Sequence, residues 1–176
     1  MQDQVQVLER HDGLRPMYKV ALLTHSYGVK LDFSNNFNIT SHHWITPEVH
    51  AQLRVFAQPG GKLAMIREKE VVRSLLAFQP QICVLLLGGN DIDREDVSPK
   101  FIAREIEDLS NFLERETGGK CMIYGLNNRT LPRGSTAKAY KAKRNSINKL
   151  LKQTWSDYCK YRYYHTHLTD DHLKWD

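Results

Sequence analysis

Four short polar clusters carry the residue types that acyl transfer requires. Thr24-His25-Ser26-Tyr27-Gly28 supplies a hydroxyl, and Pro59-Gly60-Gly61 a glycine turn with unhindered backbone N–H groups. Gly88-Gly89-Asn90-Asp91 supplies a carboxamide, and Thr169-Asp170-Asp171-His172-Leu173 a carboxylate beside an imidazole. In that chemistry a serine oxygen attacks an ester carbonyl, a histidine takes its proton, and a carboxylate orients the histidine. Backbone N–H groups and the asparagine carboxamide stabilise the oxyanion, and losing one such donor costs on the order of 3 kcal/mol. Each residue also has a plainer reading. Ser26 is a natural helix N-cap, Gly60 serves a turn with Gly61 as a rival donor, and Asn90 can cap a loop. Asp91 fits the ordering of local backbone better than chemistry.

The surrounding pattern says how these clusters would be brought together. The chain has 176 residues, 41% of them hydrophobic, which suits one ordinary domain with a real core. Residues 1–17 read as a polar leader and residues 18–176 as the domain. Val20-Ala-Leu-Leu23 reads as a buried strand, Arg54–Ala57 as a weaker one, and 66–78 as a helix stopped by Gln79-Pro80. Ile82–Leu87 is six apolar residues without alternation, the mark of a central parallel strand covered on both faces. Ser98-Pro99 caps a helix with Phe101, Ile102, Ile106, Leu109, Phe112 and Leu113 on one face, ended by Gly118-Gly119. Cys121–Tyr124 is a strand, 136–155 a helix burying Ile147, Leu150, Leu151 and Trp155, and Tyr161–Leu168 a final strand. Alternating strands and helices predict a three-layer α/β/α sandwich around a parallel sheet of about five strands. Ligands of such sheets bind at the carboxyl ends of the strands, where all four clusters lie.

Ser26, Gly60, Gly88-x-Asn90-Asp91 and a late histidine, each after its own strand, resemble the SGNH (GDSL-type) hydrolases. Tyr140…Arg144…Asn148-x-x-Leu151 is similar to that family's penultimate helix. The resemblance spans roughly residues 18–176, and LLLGGNDI is its most specific part. It implies a flavodoxin-like sheet of order 2-1-3-4-5 and a small ester or acyl substrate. It also implies Ser26 as nucleophile, with the Ser26 N–H, the Gly60 N–H and the Asn90 side chain as the oxyanion hole. The sequence departs from the family in two places. The first block, usually Gly-Asp-Ser, reads Thr24-His25-Ser26, and the last block, usually Asp-x-x-His before a C-terminal helix, has Thr169 three before His172. Two readings of the end stay open. Either His172 is the base with Asp170 as partner, or Asp176 begins the Asp-x-x-His block and the chain lacks the base and the terminal helix. The second would make it a catalytically incomplete SGNH-like binding or assembly module.

Other clusters carry less. His42, His43 and His50, like His165, His167 and His172, have no cysteine partners and no strong zinc spacing, so no metal is expected, nor an organic cofactor. Cys83 and Cys121 lie in apolar runs and, with Cys159, read as reduced cysteines of an intracellular protein. No apolar run approaches the roughly 20 residues a bilayer requires. Residues 129–152 hold eight basic side chains and no acid, whereas 91–116 hold nine acids and four bases. The plain reading of the basic stretch is a solvated helix face. The sharper one is nucleic-acid contact through Lys141, Lys143 and Arg144, and domains of the resembled type with a GGND block also occur in retroelement-encoded proteins.

Overall fold

The fold is described from a computed structural model covering residues 17–25, 42–45, 50–129, 132–156 and 163–164. In chain order the elements are β1 (Met17–Thr24), β2 (His42–Ile45), β3 (His50–Ala57), α1 (Leu63–Ile66), α2 (Glu70–Phe78) and β4 (Ile82–Leu86). There follow α3 (Gly89–Ile92), α4 (Pro99–Thr117), β5 (Lys120–Tyr124), α5 (Ala137–Ser156) and β6 (Tyr163–Tyr164). The strands form one sheet of order β2-β3-β1-β4-β5-β6. From β3 to β6 every pairing is parallel, so the parallel strands, numbered among themselves, run 2-1-3-4-5 as expected. The sixth strand was not foreseen. β2 falls between the first and second strands expected from the sequence and pairs antiparallel with β3 at the sheet edge, Trp44 opposite Ala51. The strand expected over Tyr161–Leu168 pairs with β5 at Tyr163 and Tyr164, its other residues lying outside those described.

The core sits on one face of the sheet. Register places Ala21, Cys83 and Cys121 side by side, and Leu23, Leu85 and Ile123 likewise; all six are buried. α2 packs on β1 and β3, α4 on β5, α5 on β6, and α4 on α5. On the other face Val20, Leu22, Ile82, Val84 and Leu86 are half-buried. The unbroken apolar run of β4 thus marks one face fully buried and the other half-buried, not both equally covered.

The helix ends follow the local signals. Ser98 Oγ accepts the Phe101 N–H at 3.2 Å with proline directly behind it, and Gly118, at φ 68°, closes α4 in the left-handed conformation. Ile102, Ile106, Leu109 and Leu113 are buried as expected, and Phe112 packs against the core. Phe101 does not join them; it is 47% exposed. The helix expected over 66–78 is two pieces, with Lys69 extended between them. No helix among the described residues is long and apolar enough to cross a membrane.

Candidate active site at the carboxyl rim

Parallel pairing lines up the strand ends. Thr24 on β1 is level with Ala57 on β3 and Leu86 on β4, so the segments leaving these strands emerge together. Gln58 N–H donates to Thr24 O at 2.9 Å, carrying the β1–β3 pairing one step past the strand ends.

After β3 the chain turns through Gln58-Pro59-Gly60-Gly61. The Gly61 N–H donates to Gln58 O at 3.1 Å and Gly60 has φ 65°, as a turn with proline second and a left-handed glycine third requires. The two candidate donors therefore differ. The Gly61 N–H closes the turn, whereas the Gly60 N–H makes no hydrogen bond among the described residues.

After β4, Gly88 adopts φ 100°, where a Cβ would also come within 3.1 Å of Leu126 Cδ2. Gly89 opens α3 against His25, and a Cβ there would lie 3.0 Å from His25 Nε2. Asp91 is buried, and its Oδ2 accepts the Leu63 N–H at 3.2 Å, fixing the start of α1. Burial raises its pKa above the ordinary carboxylate value. Asp91 thus orders backbone, but that of a segment 28 residues earlier in the chain and not its own neighbourhood.

Asn90 is held from both sides. Its Nδ2 donates to Gly61 O at 3.1 Å, tying the carboxamide to the glycine turn. Its Oδ1 accepts from Arg129 Nη2 at 3.3 Å. Arg129 Nη1 in turn donates to Asp93 Oδ2 at 2.5 Å, in an ion pair with side-chain exposures of 15% and 10%. Asp93 Oδ1 accepts the Arg133 N–H at 3.2 Å, and the Arg129 guanidinium stands 5.9 Å from the centroid of the buried Tyr140 ring. The loop carrying Arg129 is anchored by Asn148. From α5, its carboxamide accepts the Leu126 N–H at 2.9 Å and donates to Leu126 O at 3.0 Å. Three residues of the helix text, Tyr140, Asn148 and Leu151, are thereby seen to be buried.

His25, 2% exposed, is neutral at ordinary pH: burial, with the Arg129 charge second, lowers its pKa to about 4.

Sequence reasoning missed Arg129 and Asp93. It counted Arg129 as the first member of a basic stretch, although its acid partner lies 36 residues earlier in the acidic stretch. The opposite charge of the two stretches was the available signal, because their packing pairs them. Lys143 is also engaged inward: its Nζ donates to Arg94 O, and partial burial lowers its pKa. Arg144 bonds its neighbour Asn145, while Lys138, Lys141, Lys149 and Lys152 are exposed. Ser26, His172, Asp170 and Asp176 lie outside the described residues; in the sequence Ser26 directly follows His25.

No family model matches the sequence, and no curated protein matches it. Solved structures do. A carbohydrate esterase family 3 protein from Talaromyces cellulolyticus matches with TM-score 0.56 at 13% identity, over 88% of this chain and 84% of that one. A candidate acylhydrolase from Bacteroides fragilis matches with TM-score 0.55 at 15% identity, over 92% and 75%. A candidate GDSL-like lipase from Parabacteroides merdae matches with TM-score 0.53 at 15% identity, over 79% and 76%. The fold is the GDSL-like hydrolase fold. Identities this low establish architecture and leave the role of each residue to its own geometry.

Proposed function

We propose that the protein is a serine esterase or acylhydrolase. Ser26 attacks an ester carbonyl, and the Gly60 N–H and the Asn90 carboxamide, with the Ser26 N–H, hold the oxyanion. His172, oriented by Asp170, takes the serine proton. The observation that carries the reading is the Asn90 carboxamide fixed beside the Gly60 turn. One of its two N–H groups is bound to Gly61 O and its oxygen is occupied by Arg129. The second N–H of a carboxamide tied one residue from Gly60 is the donor this reading assigns to the oxyanion. Donors set before the reaction need no reorganisation as charge develops, which is why such a pair lowers an acyl-transfer barrier.

Hydrolysis of p-nitrophenyl acetate by the wild type and by Ser26→Ala tests the assignment. The Ser26→Ala rate should fall to the uncatalysed background, and equal rates for the two would remove Ser26 as nucleophile. His172→Ala should abolish turnover as well. A His172→Ala variant with the wild-type rate would shift the base elsewhere, with Asp176 as the alternative acid.

A further inference from the structure

We propose that Arg129 is a positioning residue for the oxyanion hole, holding Asn90 Oδ1 so that the carboxamide N–H faces the reacting oxygen. The inference rests on the acyl-transfer reading above and deepens it.

The orientation of an amide side chain is decided by its hydrogen-bond partners. Here the partners leave one solution. Gly61 O is an acceptor and demands an N–H, while the Arg129 guanidinium is donor-only and demands the oxygen. A flipped carboxamide would set NH₂ against guanidinium and oxygen against oxygen, losing both bonds. Arg129 cannot swing away readily, because its other arm is paired with Asp93 at 2.5 Å and its plane lies by Tyr140. The segment that carries it is clamped through Leu126 by Asn148. A cation on the amide oxygen also draws electron density from the nitrogen, so the free N–H becomes a stronger donor when an oxyanion forms. Lysine in place of Arg129 keeps the charge near Asp93 but lacks the fork that reaches both partners.

The test is a double-mutant cycle on p-nitrophenyl acetate hydrolysis. Arg129→Lys should lower kcat by about 10- to 100-fold with KM nearly unchanged, a fraction of what loss of a whole donor costs. In an Asn90→Ala background the same change should alter kcat less than about two-fold, since residues acting through one another are non-additive. An equal fold-loss in both backgrounds would overturn the proposal and leave Arg129 a purely structural residue. Should Arg129→Lys fold poorly, Arg129→Gln combined with Asp93→Asn removes both charges together and serves in its place. A second readout needs no turnover. The Asn90 side-chain ¹⁵NH₂ signals should be well separated and slowly exchanging in the wild type and collapse in the Arg129 variants. Unchanged signals would refute the contact. Absence of any Ser26-dependent hydrolysis in the wild type, with these signals behaving as expected, would instead refute the acyl-transfer reading.

Discussion

The two ends of the sheet are closed by different means. At the amino end Gln81 is the junction. Its N–H donates to Lys19 O at 2.9 Å, and its O and Oε1 accept from Lys120 N at 2.8 Å and Lys19 N at 2.6 Å. Gly119 passes so close that a Cβ would lie 2.5 Å from Pro80 O. Side chains help there too, Glu114 Oε1 accepting the Cys121 N–H at 2.9 Å and Thr117 Oγ1 the Gly119 N–H at 3.1 Å, but none of the ionisable ones is fully buried. At the carboxyl end, side chains close the turns. Asp91 takes the Leu63 N–H, Asn148 clamps Leu126, Asp93 pairs with Arg129 under Asn90, and a neutral His25 sits against Gly89. Burying ionisable groups is costly unless they are paired or neutralised. The amino rim demonstrates that strand ends of this sheet can be closed without that cost. The carboxyl rim accepts it and in return has side-chain dipoles that cannot reorient, the property a preorganised site requires.

The strongest break of this contrast is chemical. Asn90→Ala should lower kcat by about 10²- to 10³-fold with little change in KM, while Gln81→Ala at the opposite rim leaves kcat as it was. Steady-state kinetics of the two variants decides whether the buried polar rim is the working one.

The next is acid. The folded pKa of His25 is about 4 against 6.5 unfolded, so between those values the unfolded chain binds the extra proton. Stability therefore falls as the pH drops through that window, by a total of about 3 kcal/mol for this group. Asp91 works in the opposite direction. Its raised pKa lets the folded state hold a proton above the ordinary carboxylate range, so acidification relieves it. Urea unfolding at pH 7 and near pH 4 should show a smaller acid loss in His25→Asn than in the wild type. Identical losses would mean that His25 is not the group responsible.

Smaller effects probe the amino rim. Gly119→Ala drives a Cβ into the Pro80 carbonyl, a backbone atom with no side-chain freedom to yield. A loss of about 1–3 kcal/mol in urea unfolding is expected, with kcat per folded molecule unaltered because the crowding lies at the end of the sheet away from Asn90. The smallest is Ser98→Ala, which deletes the cap on the Phe101 N–H and should cost about 1 kcal/mol.

Much of the fold was legible because its signals are local. The apolar runs of β4 and β5, the Ser98-Pro99 start and Gly118 stop of α4, and the Gln79-Pro80 break each act within a few residues. The order of the parallel strands came from the resemblance of the strand-end blocks to SGNH hydrolases, and β2 escaped notice because His42–Ile45 is short and half polar. At the site, the pairing of Asn90 with the Gly60 turn was foreshadowed by residue type. Its support was not, since Asp93 and Arg129 are 36 residues apart and each sat within a block of its own charge.

By itself, then, the sequence determined which residues could be strand, helix or turn, and which polar types would gather at the strand ends, because propensity and patterning act over short spans. Only the tertiary structure decided that Gly61 spends its N–H on the turn while Gly60 does not, and that Asp91 serves backbone. It alone decided that Arg129 faces inward to Asn90 and not outward with Lys138, Lys141, Lys149 and Lys152. Those outcomes depend on burial and on partners distant in the chain, and a carboxylate or guanidinium taken out of water settles wherever packing lets it find its counter-charge.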